Sequence, residues 1–386
     1  MTEKEIAELR RRFRADKSNI SHVYGCYVNE NREIISRFDQ SLGMMGQEEG
    51  EKLLAILRKT LSGTLGKNLL DIEFETRQVT EGEEHHLLMA LRDSELRDDQ
   101  AAERLFQKVI DSADLEGNYL ILLAYDAYDV PYRARDGLRQ DDASSELFRY
   151  ILCSICPVKL TKEALSYFVH ENQFRGLAAD WVVAAPEAGF LFPAFDERST
   201  NLYNALFYTK DTACAHEGLL DALFRCPAPM PAAEQMESFH TLLQETLGDD
   251  CSYQVVQSVH ETLRGLIETH KEEREEQPLT LSREAMGGVL RACGVEQARV
   301  ETFEARYDGT YGEGVSVSPR NLVDPRQLEL RTPDVTIRVS PARGDLIQTR
   351  VIDGQRYILI RAEEGVEVNG VPVCIPDGTG EKEEDE

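Results

Sequence analysis

Residues 189–204, GFLFPAFDERSTNLYN, hold the most concentrated set of side chains in this chain that could perform chemistry. The carboxyl group of Asp196 or Glu197 could act as a general acid, and the guanidinium of Arg198 could orient an anionic substrate. The alternative is structural: Arg198 pairs with a carboxylate, and the phenylalanines fill a seam between domains. We favour the structural alternative, because no histidine and no second carboxylate motif accompanies the run. We assign no catalytic residue; Asp196, Glu197 and Arg198 are the candidates if the protein is an enzyme.

Cys153 and Cys156 have the CxxC spacing of metal and redox sites. They lie in an apolar run that predicts a strand, where residues three apart point to opposite faces. The two thiols therefore cannot easily chelate one ion or form a disulfide, and no second CxxC or CxxH completes a zinc site. We interpret both as core cysteines.

His85 and His86 are adjacent imidazoles, a residue type that binds metals. On a helix, adjacent side chains diverge by about 100°, so the two rings do not converge on one ion. The chain has no HExxH motif, and a solvated or capped histidine is the expectation for the isolated His240, His260 and His270. We predict no metal site and no cofactor.

Two glycine-rich stretches superficially resemble phosphate-binding loops. Residues 62–68 (SGTLGKN) lack the first glycine and the final Ser or Thr that a P-loop requires, and they favour a helix C-cap. Residues 309–314 (GTYGEG) lack the GxGxxG order and a strand leading into them. We expect the second stretch to be a flexible loop before Val315.

The densest basic patch lies near the start of an otherwise acidic chain, whose formal net charge is −27. That charge repels phosphate backbones at long range, so any contact with nucleic acid must come from a locally basic face. The candidate nucleic-acid-binding residues are Arg10, Arg11, Arg12, Arg14 and Lys17. The alternative is a solvated helix in which these cations pair with Glu3, Glu5 and Glu8 at helical spacing.

Length and composition indicate a folded protein of two or three packed units, since the chain has 386 residues and 41% hydrophobic residues. Its eight cysteines are scattered, which suits a reducing compartment and not a disulfide framework. No apolar run reaches the roughly 18 residues of a membrane helix, and the first residues lack a signal-peptide pattern. We therefore expect a soluble, cytoplasmic protein with no membrane contact.

Hydrophobic periodicity predicts the helices that must position these candidates. One helix is predicted to begin at a capping box, Thr80-Glu81-Gly82-Glu83, and to continue through Leu91. The other predicted helices cover residues 3–15, 47–61, 98–112, 232–247, 252–272 and 282–293.

Alternation and β-branched composition predict the strands. The nearly continuous apolar run Tyr119–Tyr125 indicates a strand covered on both faces, paired with residues 147–158. Asp353-Gly354 and Asn369-Gly370 predict two-residue hairpin turns. The remaining predicted strands cover residues 20–28, 33–38, 69–75, 165–170, 181–185, 335–340, 347–352 and 356–361.

These elements predict an α+β protein with a mixed sheet and helices, a helical middle segment and C-terminal antiparallel β hairpins. Pro227, Pro229 and Pro231 form the clearest linker signal. The predicted division is therefore an N-terminal mixed domain at 1–226, a helical segment at 227–296, a β-rich domain at 297–375, and a disordered acidic tail at 376–386.

Two resemblances add to this interpretation. At residues 24–28 (YGCYV), 59–66 (KTLSGTLG) and 189–208, the chain resembles a Firmicutes family known as domain of unknown function 4317 over nearly its whole length. That resemblance implies no activity. Over about residues 98–373, the order of elements is also similar to bacterial nucleoid-associated proteins of the 37-kilodalton type, which associate with DNA.

The leading functional hypothesis is a non-enzymatic binding protein that is nucleoid-associated, with duplex DNA or a protein as partner and homo-oligomer formation left open. The resemblance to nucleoid-associated proteins implies the DNA contact, and no residue is carried over from that family. The alternatives are an enzyme acting on an anionic substrate around Asp196, Glu197 and Arg198, and an acidic scaffold for protein partners.

Overall fold

The computed structural model describes residues 1–133, 139–214, 216–273, 277–325, 327–362, 365–368 and 371–373. The α+β class is confirmed, and the chain forms two compact units, residues 1–239 with 273–280 and residues 240–272 with 281–386. The division into three domains and a tail stays a prediction. Among the described residues, no helix combines the length and the apolar character needed to cross a bilayer.

The first unit contains six complete helices among its described residues and the beginning of a seventh. They are α1 (Glu3–Arg10), α2 (Gln47–Lys59), α3 (Thr76–Glu81), α4 (Glu83–Asp93), α5 (Asp99–Ser112), α6 (Glu217–Phe224) and α7 (Ala232–Leu247), which continues into the second unit. Its strands are β1 (His22–Val28), β2 (Ile34–Ser41), β3 (Leu69–Glu73), β4 (Tyr119–Arg133), β5 (Arg139–Leu160), β6 (Ala164–Phe168), β7 (Gln173–Leu177), β8 (Trp181–Val183), β9 (Ala188–Phe192), β10 (Ala194–Asp196), β11 (Ser199–Asn201) and β12 (Asn204–Thr209).

One antiparallel sheet organises this unit, with strand order β2-β1-β4-β5-β9-β12-β3 and with β8 paired to β5. The first half of the inner strand β4, Tyr119–Tyr125, is covered on both faces, as its sequence predicted. Ile121 and Leu123 pack into a core with α4, α5 and α6. Leu122 and Ala124 pack into a second core with α1 and α2. The sheet is therefore covered by helices on both sides.

The prediction for the CxxC pair is confirmed. Cys153 belongs to the first core and Cys156 to the second, so the sheet itself separates the two thiols. Burial raises the pKa of Cys153 above its ordinary range and the pKa of Cys156 to about 12. Both thiols are therefore protonated and act as small apolar side chains.

The second unit holds helices followed by short hairpins, as predicted for the C-terminal part. Its elements after α7 are α8 (Tyr253–Glu273), α9 (Arg283–Ala292), α10 (Gln297–Tyr311), β13 (Leu328–Arg331), β14 (Thr336–Val339), β15 (Ile347–Ile352), β16 (Gln355–Ile360), β17 (Val366–Val368) and β18 (Val371–Val373). Asp353 and Gly354 both have positive φ, 50° and 77°, and they join β15 to β16 as predicted. The second predicted turn, Asn369-Gly370, and the tail 376–386 lie outside the described residues.

Two local predictions are wrong. Thr80 is not a helix cap: it lies inside α3, where its hydroxyl donates to the carbonyl of Thr76 at 3.1 Å, and α4 begins only after Gly82. Residues 309–311 are not a loop but the last turn of α10. A buried stripe at helical spacing (Val300, Phe303, Tyr307 and Tyr311) outweighs the roughly 1 kcal/mol that Gly309 costs inside a helix.

Candidate functional site

The run 189–204 folds into strand β9 and the small hairpin β10–β11. Glu197 and Arg198 form the two-residue turn, and both have positive φ, 49° and 58°. All of β9 is buried, and Gly189 in it has no room for a side chain, because an added Cβ would lie 2.6 Å from Cγ2 of Thr60. The run therefore begins as a central strand of the sheet and ends as a turn at the surface.

The three phenylalanines of the run occupy two different cores. The ring of Phe190 lies 5.4 Å from that of Phe224, in the core beside α6. Phe195 lies on the other side of the sheet, with its ring centroid 4.7 Å from that of Phe148. Phe192 packs edge-on against Phe74, at 5.9 Å between ring centroids. These side chains hold the run in place from both faces of the sheet.

The structure does not bring the three catalytic candidates together. A guanidinium nitrogen of Arg198 lies 2.9 Å from a carboxylate oxygen of Glu8 in an ion pair, and the backbone N–H of Arg198 donates to Glu5 at 3.1 Å. Asp196 accepts a hydrogen bond from Asn201 at 3.3 Å. Asp196 and exposed Glu197 border an open surface depression of about 330 Å³, which Arg198 does not line.

The five basic candidates divide into internal and exposed side chains. Arg10 donates to the backbone carbonyls of Leu61 and Gly63, the latter at 3.1 Å. Arg12 lies 3.3 Å from a carboxylate oxygen of Asp126. Arg11, Arg14 and Lys17 are exposed, and Arg14 pairs with neighbouring Asp16 at 3.0 Å. The basic run therefore offers three of its five cations to solvent.

A polar network connects the basic run to the turn at Arg198. Asp126 is 1% exposed and accepts hydrogen bonds from Arg12 and from the Tyr150 hydroxyl, the latter at 2.9 Å. The guanidinium of Arg12 lies 4.9 Å from the ring centroid of Tyr128, whose hydroxyl donates to Glu8 at 2.7 Å. Glu8 in turn pairs with Arg198.

Residues from both predicted sites, the basic run and the turn at Arg198, take part in this network and have a structural role in it. Burial, together with the Asp126 carboxylate, raises the pKa of Tyr150 well above its ordinary value. Burial and the hydrogen bond to Glu8 raise the pKa of Tyr128 to about 12. Both phenols therefore remain protonated donors at neutral pH, and the acidic residues they contact keep their hydrogen bonds.

Histidines are dispersed among the described residues. Nε2 of buried His85 lies 2.9 Å from the carbonyl oxygen of Leu202, whereas His86 is exposed. Across the part of the chain that the structure describes, no group of three or more His, Cys, Asp or Glu side chains is arranged to hold a metal ion.

His216 is a buried imidazole, and among the residues that the structure describes neither of its ring nitrogens has a hydrogen-bond partner. Burial lowers its pKa, and the carboxylates of Glu187, Asp211 and Asp114 offset part of that effect. The folded state therefore favours the neutral ring. Burial also lowers the pKa of His85 and His260.

We expect the protein to be most stable above about pH 6.5, the ordinary histidine pKa. Below that pH, the free energy of unfolding should decrease. The unfolded imidazole takes up a proton that the folded one does not, which contributes at most about 1.4 kcal/mol per pH unit for each such histidine. His216→Asn, which tolerates the positive φ of 49° at this position, should flatten the pH dependence. Urea titrations across this pH range provide the measurement, with His86→Asn as control. Equal pH dependence in wild type and His216→Asn would contradict this assignment.

Residues 158–183 form an exposed apolar hairpin, which was not predicted from the sequence. The β5–β8 and β6–β7 ladders keep one pairing register, from Val158 opposite Val183 to Phe168 opposite Gln173. Between the ladders, the N–H of Thr161 donates to the carbonyl of Asp180 at 2.8 Å. The exposed large apolar side chains of this hairpin are Leu160, Leu165, Tyr167, Phe168, Val169, Phe174, Leu177, Trp181 and Val182.

The register places Leu165, Tyr167, Phe174 and Gly176 on one face of the hairpin, which we term the apolar face. Leu165 is 72% exposed, Tyr167 45% and Phe174 69%. The rings of Tyr167 and Phe174 contact each other at 5.0 Å between centroids. On the opposite face, the guanidinium of Arg175 stacks on Phe168 at 5.1 Å from the ring centroid. The apolar face thus combines high exposure with adjacent aromatic rings.

These observations describe an α+β protein built on an antiparallel sheet that is covered by helices on both faces, with an exposed apolar hairpin. The chain belongs to the family described as Domain of unknown function (DUF4317), whose model matches residues 1–371. This match confirms the first resemblance in the sequence analysis. A comparison with curated proteins finds no match. The likeness to the 37-kilodalton nucleoid-associated proteins stays a prediction.

Proposed function

We propose that this protein is a non-enzymatic binding protein that contacts another protein through the apolar face of hairpin 158–183. The exposure of Leu165, Tyr167 and Phe174 side by side carries the proposal. Apolar patches of this kind mark interaction sites on folded proteins, because removing apolar surface from water makes the free energy of binding more favourable.

The composition of the hairpin also favours a protein partner. Aromatic residues are enriched at the centres of protein interfaces, where a few of them contribute most of the binding free energy. Tyr167 and Phe174 are two such aromatic residues, and they are exposed side by side on the apolar face. Full burial of a Leu or Phe side chain contributes about 1.5–3 kcal/mol. Covering the exposed parts of Leu165, Tyr167 and Phe174 therefore supplies part of the free energy of binding.

A photo-crosslinking amino acid tests this proposal in living cells. With p-benzoylphenylalanine in place of Leu165, irradiation should yield a discrete adduct of defined mass that contains a second polypeptide. The same group in place of Tyr203, which is 46% exposed in the surface turn before β12, is the matched control and should yield none. Absence of any adduct from position 165 would remove the proposal.

Duplex DNA, the other partner predicted from the sequence, has less support. Arg10 and Arg12 donate to groups of the protein itself, which leaves Arg11, Arg14 and Lys17 at the surface. Titration of duplex DNA at low ionic strength, with protein free of nucleic acid, tests this alternative. Salt-sensitive binding would support it, and no binding would eliminate it.

The enzyme hypothesis around Asp196, Glu197 and Arg198 likewise has little support. Its cation is paired with Glu8, and its two carboxylates border an open depression instead of a deep pocket. A role as a scaffold for protein partners is compatible with the proposed function, with the apolar face and not the acidic surface as the binding site.

A further inference from the structure

We propose that the partner covering the apolar face is a second copy of this chain, with two hairpins packed face to face about a twofold axis. The inference rests on the proposed function and specifies its partner. Three observations support it: the shape of the face, its local charge and its area.

The apolar face carries both a protruding ring and an open position that such a ring can occupy. Phe174 protrudes from β7 and is 69% exposed. Two residues further along the same strand, on the same face, Gly176 leaves an indentation opposite Leu165, and no atom lies within 4 Å of the place where its Cβ would be. A twofold axis between two such faces can place each Phe174 ring over the Gly176 of the other copy. This is the reciprocal arrangement that an isologous interface requires.

The local charge of the hairpin removes the electrostatic obstacle to self-association. The whole chain carries a formal net charge of −27, so most of its surface repels a second copy. Residues 158–183 instead contain equal numbers of cations and anions, namely Lys159, Lys162 and Arg175 with Glu163, Glu171 and Asp180. Two copies can therefore meet here without local repulsion, whereas a neutral surface gives no preference for a strongly basic partner.

The exposed area sets the expected strength of the contact. An aromatic side chain offers about 150–250 Å², so the exposed parts of Leu165, Tyr167 and Phe174 amount to roughly 300–400 Å² per copy. Two copies then bury about 600–800 Å² in total, which is below the roughly 1,200 Å² of stable complexes and falls among weak and transient ones. We therefore infer a reversible dimer that dissociates on dilution.

The test measures the molar mass of the purified full chain by sedimentation across a wide concentration range. Wild type should move from one to two chain masses as concentration rises. Phe174→Asp should raise the dimer dissociation constant at least about 30-fold, as expected for a hot-spot residue at the centre of an interface. Val351→Asp is the matched control, because Val351 lies on hairpin β15–β16 and is also 69% exposed; it should leave the dissociation constant unchanged.

A second variant fills the indentation without adding charge. Gly176→Leu has space in the folded chain and should weaken the dimer, while circular dichroism remains that of wild type. One chain mass at every concentration, dimerisation that neither variant weakens, or a mass that grows beyond two chains would each overturn the inference. If the chain is monomeric and position 165 still crosslinks to a different polypeptide in cells, only the second-copy inference fails. If the chain is monomeric and position 165 gives no adduct, the proposed function fails as well.

Discussion

Arg12→Gln is expected to lower the free energy of unfolding by about 3 kcal/mol, because it leaves the carboxylate of Asp126 without its cation. Asp126 is 1% exposed, so water cannot replace the lost partner. The Tyr150 hydroxyl continues to donate one hydrogen bond to Asp126, but a neutral donor does not balance a buried charge. The substitution also removes the guanidinium that lies over the ring of Tyr128.

The neighbouring residue gives a matched control. Arg11 is exposed, and Arg11→Gln should change the free energy of unfolding by no more than about 0.5 kcal/mol. Urea titrations followed by circular dichroism measure both effects under one set of conditions. Equal stability of the two variants would show that Arg12 does not neutralise Asp126, and it would return Arg12 to the set of candidates for nucleic-acid binding.

Phe195→Ala should cost about 4 kcal/mol, within the range for removing a buried aromatic ring. Phe195 is 0% exposed, and its ring packs against Phe148 and Tyr128 at centroid distances of 4.7 and 6.1 Å. The hairpin β10–β11 has few other apolar anchors, so the cavity would loosen the turn that carries Glu197 and Arg198.

Tyr203→Ala is the control for Phe195→Ala in the same run of sequence. Tyr203 is 46% exposed, and its backbone hydrogen bonds with Phe74 and Asn201 do not depend on the side chain. We expect a cost below about 1 kcal/mol. Thermal unfolding of the two variants separates the predictions, and a small cost for Phe195→Ala would contradict the structural role of residues 189–204.

The local hydrophobic pattern predicted most of the helices and strands, because that pattern reflects whether one face or both faces of an element are buried. The run Tyr119–Tyr125 was correctly interpreted as a doubly covered strand, and Asp353-Gly354 as a hairpin turn. The helix α10 was missed, because Gly309 inside it and Gly312 directly after it obscured the buried stripe from Val300 to Tyr311. Gly309 is a local signal for a turn, whereas the burial that outweighs it depends on tertiary packing, which a local pattern does not show.

The candidate sites were harder to predict, because their partners are distant in sequence. Arg12 and Asp126 are 114 positions apart, and Arg198 and Glu8 are 190 apart. Helical spacing suggested Glu3, Glu5 and Glu8 as partners of the basic run instead. Asp126, directly after the apolar run of β4, was the available sign that a buried cation would be needed at that point.

The apolar face shows a second reason why the sequence alone could not predict the candidate site. Two strands, 165–170 and 181–185, were predicted from the same β-branched and aromatic pattern that marks buried strands. In the structure the intervening β7 completes a hairpin whose side chains are exposed. An apolar strand that a partner covers has the same sequence pattern as one that the protein's own core covers, so only the three-dimensional structure separates them.

The central claim is that the apolar face is an interface between two copies, and fluorine NMR of 4-fluorophenylalanine at position 174 tests it most directly. As protein concentration rises, the fluorine resonance should shift, and its sensitivity to exchange of H2O for D2O should fall as the ring leaves solvent. The Gly176→Leu chain, labelled in the same way, should show a smaller change at each concentration. A single resonance that keeps full solvent sensitivity at every concentration would contradict the claim.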